Sequence, residues 1–233
     1  CLSHVDYEKE GGTAFPLYRM SGAQMAPDKL LQKGLDQLIQ ETEQFTWKNP
    51  PFYRAVLSSL HTFQELCISY SDITQQMAEE SADPALQISF GKMSENLAHI
   101  AHKSPETFWQ AAQLSYLYYL VSGTYNYGRM DEYLGEFYAR DLDTGVVTEA
   151  EAFNILKSLW TLIIQRETIF DARIILGGKD RRSVETADRF AMAAMEVSRV
   201  LKDVTPQLTL RCYEGMNTAV YDKALELIGE GTT

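Results

Sequence analysis

The chain has 233 residues, enough for one large domain or a piece of a larger one, and 45% of them are hydrophobic, ample for a buried core. A formal charge of −11 and a pI near 4.8 argue against a nucleic-acid partner, since no basic stripe is present to neutralise phosphates. The surplus of acid reads as solubility.

No apolar run reaches the ~18 residues of a membrane span, and no signal peptide opens the chain. The longest candidate, around Leu114–Val121, is interrupted by Ser115 and crowded with tyrosines. Three cysteines (Cys1, Cys67, Cys212) are too few and too scattered for a disulfide framework or a zinc site and fit a reduced, cytoplasmic protein. The sequence starts at Cys1 without a methionine and stops after "GEGTT". Both ends read as cut.

Residues 1–26 carry glycines and Pro16 without a period and read as loop. From Pro27 the spacing of Leu31, Leu35, Leu38 and Ile39 predicts a helix over 27–45. After Pro50-Pro51, apolar residues from Tyr53 to Tyr70 recur at threes and fours and predict a helix over 50–82, broken at "ADP". A helix over 84–102 follows. Ser104-Pro105-Glu106 reads as the cap, first position and early acid of a helix over 104–123. Charges threaded through aromatics in "NYGRMDEYLGEFYARDL" predict a helix over 127–140, and the T-x-x-E box of Thr148 and Glu151 opens one over 148–168.

The pattern then changes. "ARIIL" predicts a strand over 172–176, ended by Gly177-Gly178. A helix over 184–202, a strand over 207–211 after Pro206 and a helix over 218–228 complete a β-α-β-α alternation, the signature of parallel strands joined by a crossover. Parallel sheets need cover on both faces and more than two strands, so the chain reads as the front of a larger α/β domain.

Few residues suggest chemistry directly. Glu95, His99 and His102 share helical spacing, but no pair of E-x-x-H motifs accompanies them, and no metal site is expected. Gly177-Gly178 sits between strand and helix as a phosphate loop would, yet "KDRRS" completes neither nucleotide-binding pattern, and a plain turn is the stronger reading. Asp171 and Arg173, two apart, share one strand face; a solvated edge and a cavity lining fit equally. None of the four histidines belongs to a Ser-His-Asp or Cys-His arrangement.

Several stretches, in order, resemble the glycyl radical enzymes, the pyruvate formate-lyase-like family. They are "PDKLLQKGLDQLIQE" (27–41), "SPETFWQAAQLSYLYYL" (104–120), "GRMDEYLGEFYARDLDTGVVTEAEAFNILKSLW" (128–160), "ILGGKD" (175–180) and "PQLTLRCYEG" (206–215). Together they span about residues 20–233. The resemblance implies a helix-rich α/β fold, the incomplete first half of a glycyl-radical-enzyme-type barrel, with residues 1–233 a partial domain truncated at both ends.

It further implies that the residues before Gly128 line the substrate cavity. Gly123 and Thr124 match pocket positions, Asn126 is their neighbour, Asp171 matches another pocket position and Arg173 shares its face. Arg129 and Asp131 are expected to orient the corner structurally. The family's radical glycine and catalytic cysteine match nothing in this chain, so no catalytic residue, bound cofactor or metal is expected here, and Cys212 reads as a small packed residue. An activating enzyme using S-adenosylmethionine and an iron–sulfur cluster would install the radical on the parent. The implied activity is anaerobic radical cleavage of a small molecule, by a formate acetyltransferase or by a dehydratase or lyase; a homodimer of the full-length protein is compatible with it. One departure is Gln24 in "AQMAPD", where many relatives carry histidine. A non-catalytic helical binding or scaffold domain is the alternative.

Overall fold

The computed structural model describes residues 25–167 and 172–231. The first helix, α1 (Asp28–Glu43), buries Leu30, Leu31, Leu35 and Ile39. Its continuity is interrupted at Gly34 (φ 72°, ψ 172°), where a Cβ would lie 2.3 Å from the Ser104 backbone nitrogen. The kink admits the 102–104 segment, whose His102 carbonyl takes the Asp36 N–H at 3.0 Å. Nothing local in the sequence foretells it.

Helices α2 (Pro50–Glu80) and α3 (Pro84–Ile100) begin on prolines and are capped by Asn49 and Asp83. They fold back on one another around buried Ser71 and Ser94, whose hydroxyls approach to 3.0 Å. The next helix, α4 (Phe108–Ser122), starts three residues later than the Ser-Pro-Glu signal implies. Thr107 is the actual cap, accepting from Gln110 N–H, while Gln110 Oε1 accepts from Glu106 N–H and buried Asp141 accepts from Phe108 N–H at 2.6 Å. The donors at this helix start are decided by partners the Ser-Pro dipeptide does not reveal.

The helix expected over 127–140 is displaced. Gly128–Arg129 forms a short strand, β1, and α5 runs from Met130 to Asp143. Helix α6 (Glu149–Ile164) opens with the expected reciprocal box: Glu151 N–H to Thr148 Oγ1 at 3.2 Å, Thr148 N–H to Glu151 Oε2 at 2.9 Å. Strand β2 (Ile174–Gly177), helix α7 (Val184–Leu201), strand β3 (Leu208–Arg211) and helix α8 (Thr218–Gly229) follow.

The two strands anticipated from "ARIIL" and "QLTLR" are parallel neighbours, Ile174 opposite Leu208 through Gly177 opposite Arg211. The unexpected β1 adds a third parallel strand, Gly128 opposite Ile174 and Arg129 opposite Ile175, giving the order β1-β2-β3. Alternation sends Ala172, Ile174 and Leu176 under the helices. There Phe108, Tyr138 and Phe190 meet edge-on at centroid distances of 5.3–6.4 Å, joining α4, α5 and α7. Trp160 of α6 is buried and donates its indole N–H to Ser198 Oγ on α7 at 2.9 Å. By register, Arg129, Ile175 and Thr209 share the opposite face.

Candidate functional site

Because the strands are parallel, the residues that precede each one gather on a single rim. Tyr127 N–H donates to the Arg173 carbonyl at 2.9 Å, and Ile174 N–H to the Gln207 carbonyl at 3.0 Å. The exposed Arg173 side chain donates through Nη2 to Gln207 Oε1 at 2.9 Å. Arg173 therefore lies beside Tyr127, the end of the loop that carries Gly123, Thr124 and Asn126. Asp171 lies outside the described residues, as does Gln24.

Each member of this rim has a local cause. Gly123 ends α4 in the left-handed conformation (φ 67°), where a side chain would be strained. Thr124 is fully buried and its hydroxyl meets Ser122 Oγ at 2.9 Å. Asn126, half-buried, accepts Gly128 N–H through Oδ1 at 3.1 Å. That fixes the side chain and leaves its amide nitrogen as a donor without a hydrogen bond among the described residues. Ala172, just before β2, is buried at φ 44°, a strained setting for a residue with a side chain.

Behind the rim stands a polar layer that sequence patterns alone do not mark. The Tyr127 carbonyl accepts phenol hydrogens from Tyr119 at 3.0 Å and Tyr133 at 3.1 Å. Burial pushes the Tyr127 phenol up to about 12, partly offset by the Arg166 guanidinium, and raises Tyr119 and Tyr133 as well. These tyrosines are legible as core from spacing; their hydrogen bonds are not.

At the other end of the sheet the Gly-Arg-x-Asp-Glu stretch grips the Gly177-Gly178 turn. Arg129 Nη2 donates to the Gly177 carbonyl at 3.0 Å, and Gly177 N–H donates to Asp131 Oδ2 at 2.8 Å. Arg182 N–H and Nε both donate to Glu132 Oε1 at 3.0 Å. Arg181, buried, reaches the Gly178 carbonyl, Asp188 at 2.6 Å and the Tyr213 hydroxyl. The Gly177 N–H is occupied by the protein's own carboxylate and both glycines sit at positive φ, so they turn the chain. Asp131 is 3.6 Å from Arg181, whose charge is taken up more closely by Asp188. Burial therefore wins: the Asp131 carboxyl is pushed up to about 6, against the pull of Gly177 N–H, Arg129 and Arg181.

The other candidates separate. His99 Nε2 lies 2.9 Å from the Ser104 carbonyl and His102 Nδ1 lies 3.2 Å from Asp36, while Glu95 is exposed. Among the described residues no three His, Cys, Asp or Glu side chains gather as metal ligands. Cys67 is buried and its thiol pushed up to about 12 by desolvation. Cys212 corrects the expectation of packing: it is exposed, because β3 ends at Arg211 and the next residues turn away towards α8. An open groove of about 380 Å³ lined by Cys212, Tyr213, Met216 and Tyr221 lies there, at the opposite end of β3 from the rim. No helix among the described residues is long and apolar enough to cross a membrane.

The small parallel sheet walled by helices has its counterpart in solved glycyl radical enzyme barrels, of which the chain covers about 30%. A solved glycyl radical enzyme from Archaeoglobus fulgidus superposes on 91% of this chain with a TM-score of 0.78 and 23% identity, the match covering 31% of that structure. Residues 7–233 match the family model described as pyruvate formate lyase-like, and the chain belongs to that family. It is 25% identical to the probable dehydratase YbiW of Escherichia coli (strain K12), covering 85% of this chain and 29% of that protein. It is 26% identical to (2S)-3-sulfopropanediol dehydratase of Klebsiella oxytoca, covering 86% and 26% respectively. The chain thus spans under a third of the length of these relatives.

Proposed function

We propose that this chain is the barrel-opening portion of a longer glycyl radical enzyme that cleaves a bond of a small polar substrate by elimination. The observation that carries the reading is the family match over residues 7–233. The dehydratases among its relatives favour a dehydratase or lyase over a formate acetyltransferase. Gly123, Thr124, Asn126, Asp171 and Arg173 line the substrate cavity of the whole protein. The radical glycine and its partner cysteine belong to the remainder of the polypeptide, and the chemistry they supply is abstraction of a substrate hydrogen atom.

Residues of this chain would bind and shield. The Asn126 amide nitrogen offers a donor to a substrate oxygen, fixed in direction by the bond to Gly128 N–H. Arg173 and Gln207 form a polar pair beside it. Thr124 and Tyr127, both buried, close the floor against water, which a radical intermediate requires. Arg129 and Asp131 serve architecture. The protein would act anaerobically in the cytoplasm, with a radical-activating enzyme carrying the S-adenosylmethionine and iron–sulfur chemistry as its partner, and as a homodimer.

The test is anaerobic activation of the full-length polypeptide followed by electron paramagnetic resonance. A protein-centred glycyl signal is expected from the full-length protein and none from residues 1–233 alone. No signal from the activated full-length protein would defeat the assignment.

A further inference from the structure

We propose that Arg166 is a positioning residue for substrate binding, acting through the 124–127 loop without itself touching substrate. The proposal rests on the reading above that this loop faces the cavity. Arg166 follows the last turn of α6, where Arg166 N–H still reaches the Ile163 carbonyl at 3.3 Å. That helix is anchored by buried Leu156, Leu159, Trp160 and Ile163, so the guanidinium is mounted on a rigid support.

From there one group reaches three residues of the loop. Nη1 donates to the Thr124 carbonyl at 3.0 Å and to the Tyr127 hydroxyl at 2.9 Å. The guanidinium carbon lies 4.7 Å from the centre of the Tyr125 ring. Three of the four residues from 124 to 127 thus touch Arg166, and Asn126, between them, is tied to Gly128. The other ends of Tyr127 are also held: its N–H by Arg173 and its carbonyl by Tyr119 and Tyr133. The contact to its phenol and the contact to Thr124 come from one nitrogen, so losing the guanidinium frees the Thr124 carbonyl and the Tyr127 phenol together and loosens the side of the loop that flanks Asn126.

Lysine replaces this arrangement only in part. An ammonium can also donate to two oxygens from one nitrogen, but it is a compact point charge without the planar guanidinium that lies over the Tyr125 ring.

The test compares Arg166→Ala, Arg166→Lys, Asn126→Ala and wild type in the anaerobically activated full-length polypeptide, reading glycyl radical yield beside kinetics on the enzyme's substrate. Displacement of a substrate-positioning loop costs on the order of 10²-fold in kcat/KM. Arg166→Ala is expected to lose that much at wild-type radical yield, with partial recovery on adding methylguanidine. Arg166→Lys is expected to recover only part of the loss and to stay below wild type. Wild-type kcat/KM in Arg166→Lys, or no guanidine rescue, overturns the proposal. So does loss of radical yield in both Arg166 variants, which would mark a residue needed only for folding. If Asn126→Ala impairs substrate kinetics and Arg166→Ala does not, only this inference fails. If neither does, the cavity reading fails with it.

Discussion

Replacing Asp131 by asparagine tests the balance of burial against charge at the gripped turn. Asparagine keeps an oxygen for the Gly177 N–H, 2.8 Å from Oδ2 in the native protein, but cannot ionise. The native carboxyl is 1% exposed and pushed up to about 6 from an ordinary 3.8, chiefly by desolvation. An acid raised in this way binds its proton more tightly in the folded chain than in the unfolded one. Its contribution is therefore fully present below 3.8 and lost as pH rises through about 6. Every tenfold difference in proton affinity between folded and unfolded chain is worth about 1.4 kcal/mol. Wild-type stability relative to Asp131→Asn should thus fall by about 2 kcal/mol between about pH 4.5 and about pH 7.5. Urea unfolding followed by circular dichroism across that range measures it, since the other carboxylates titrate in both proteins and cancel. Parallel curves would refute the reasoning. A difference growing in the opposite direction would show that Arg181 and Arg129, rather than burial, rule this site.

Two further substitutions probe the packing that holds the sheet. Gly135→Ala would bring a Cβ to 3.1 Å from both Ala187 Cα and the Thr186 carbonyl, where α5 meets α7 backbone to backbone, and should cost about 1–3 kcal/mol in urea unfolding. Trp160→Phe deletes the 2.9 Å bond to buried Ser198 Oγ as well as ring volume, and a loss of about 1–3 kcal/mol is expected, against little change for exposed Trp47→Phe in the same assay.

How far the sequence speaks depends on how local the cause is. Strands β2 and β3 and the capping box of α6 are readable because branched residues, Pro206 and the Thr148–Glu151 spacing act within a few positions. Strand β1 is not. Two residues have no alternation to read, and Gly128–Arg129 is extended only because β2 lies alongside, a partner 46 positions further on. That same pairing pushes the start of α5 to Met130. The Gly34 kink and the Thr107 cap likewise answer to the 102–104 segment and to Asp141, which lie far off in the chain.

The rim follows a similar division. Gly123, Thr124, Asn126 and Arg173 stand out through likeness to a family, and the parallel register supplies the physical reason that Arg173 lies beside the end of the 123–127 loop. Arg166 carries no sequence signal: its contacts reach back 39–42 positions, and an arginine at the end of an apolar helix has many ordinary uses.

Strand β3 has one further consequence. Among the described residues it pairs with β2 alone, and its outer side presents peptide groups flanked by half-buried Leu208 and Leu210. Any extended segment laid alongside would gain hydrogen bonds at once, and a second molecule offers such a segment as readily as the same one. A preparation of these 233 residues by themselves should therefore grow turbid with concentration, with exposed Arg211 at the strand's end a mild electrostatic brake on that growth.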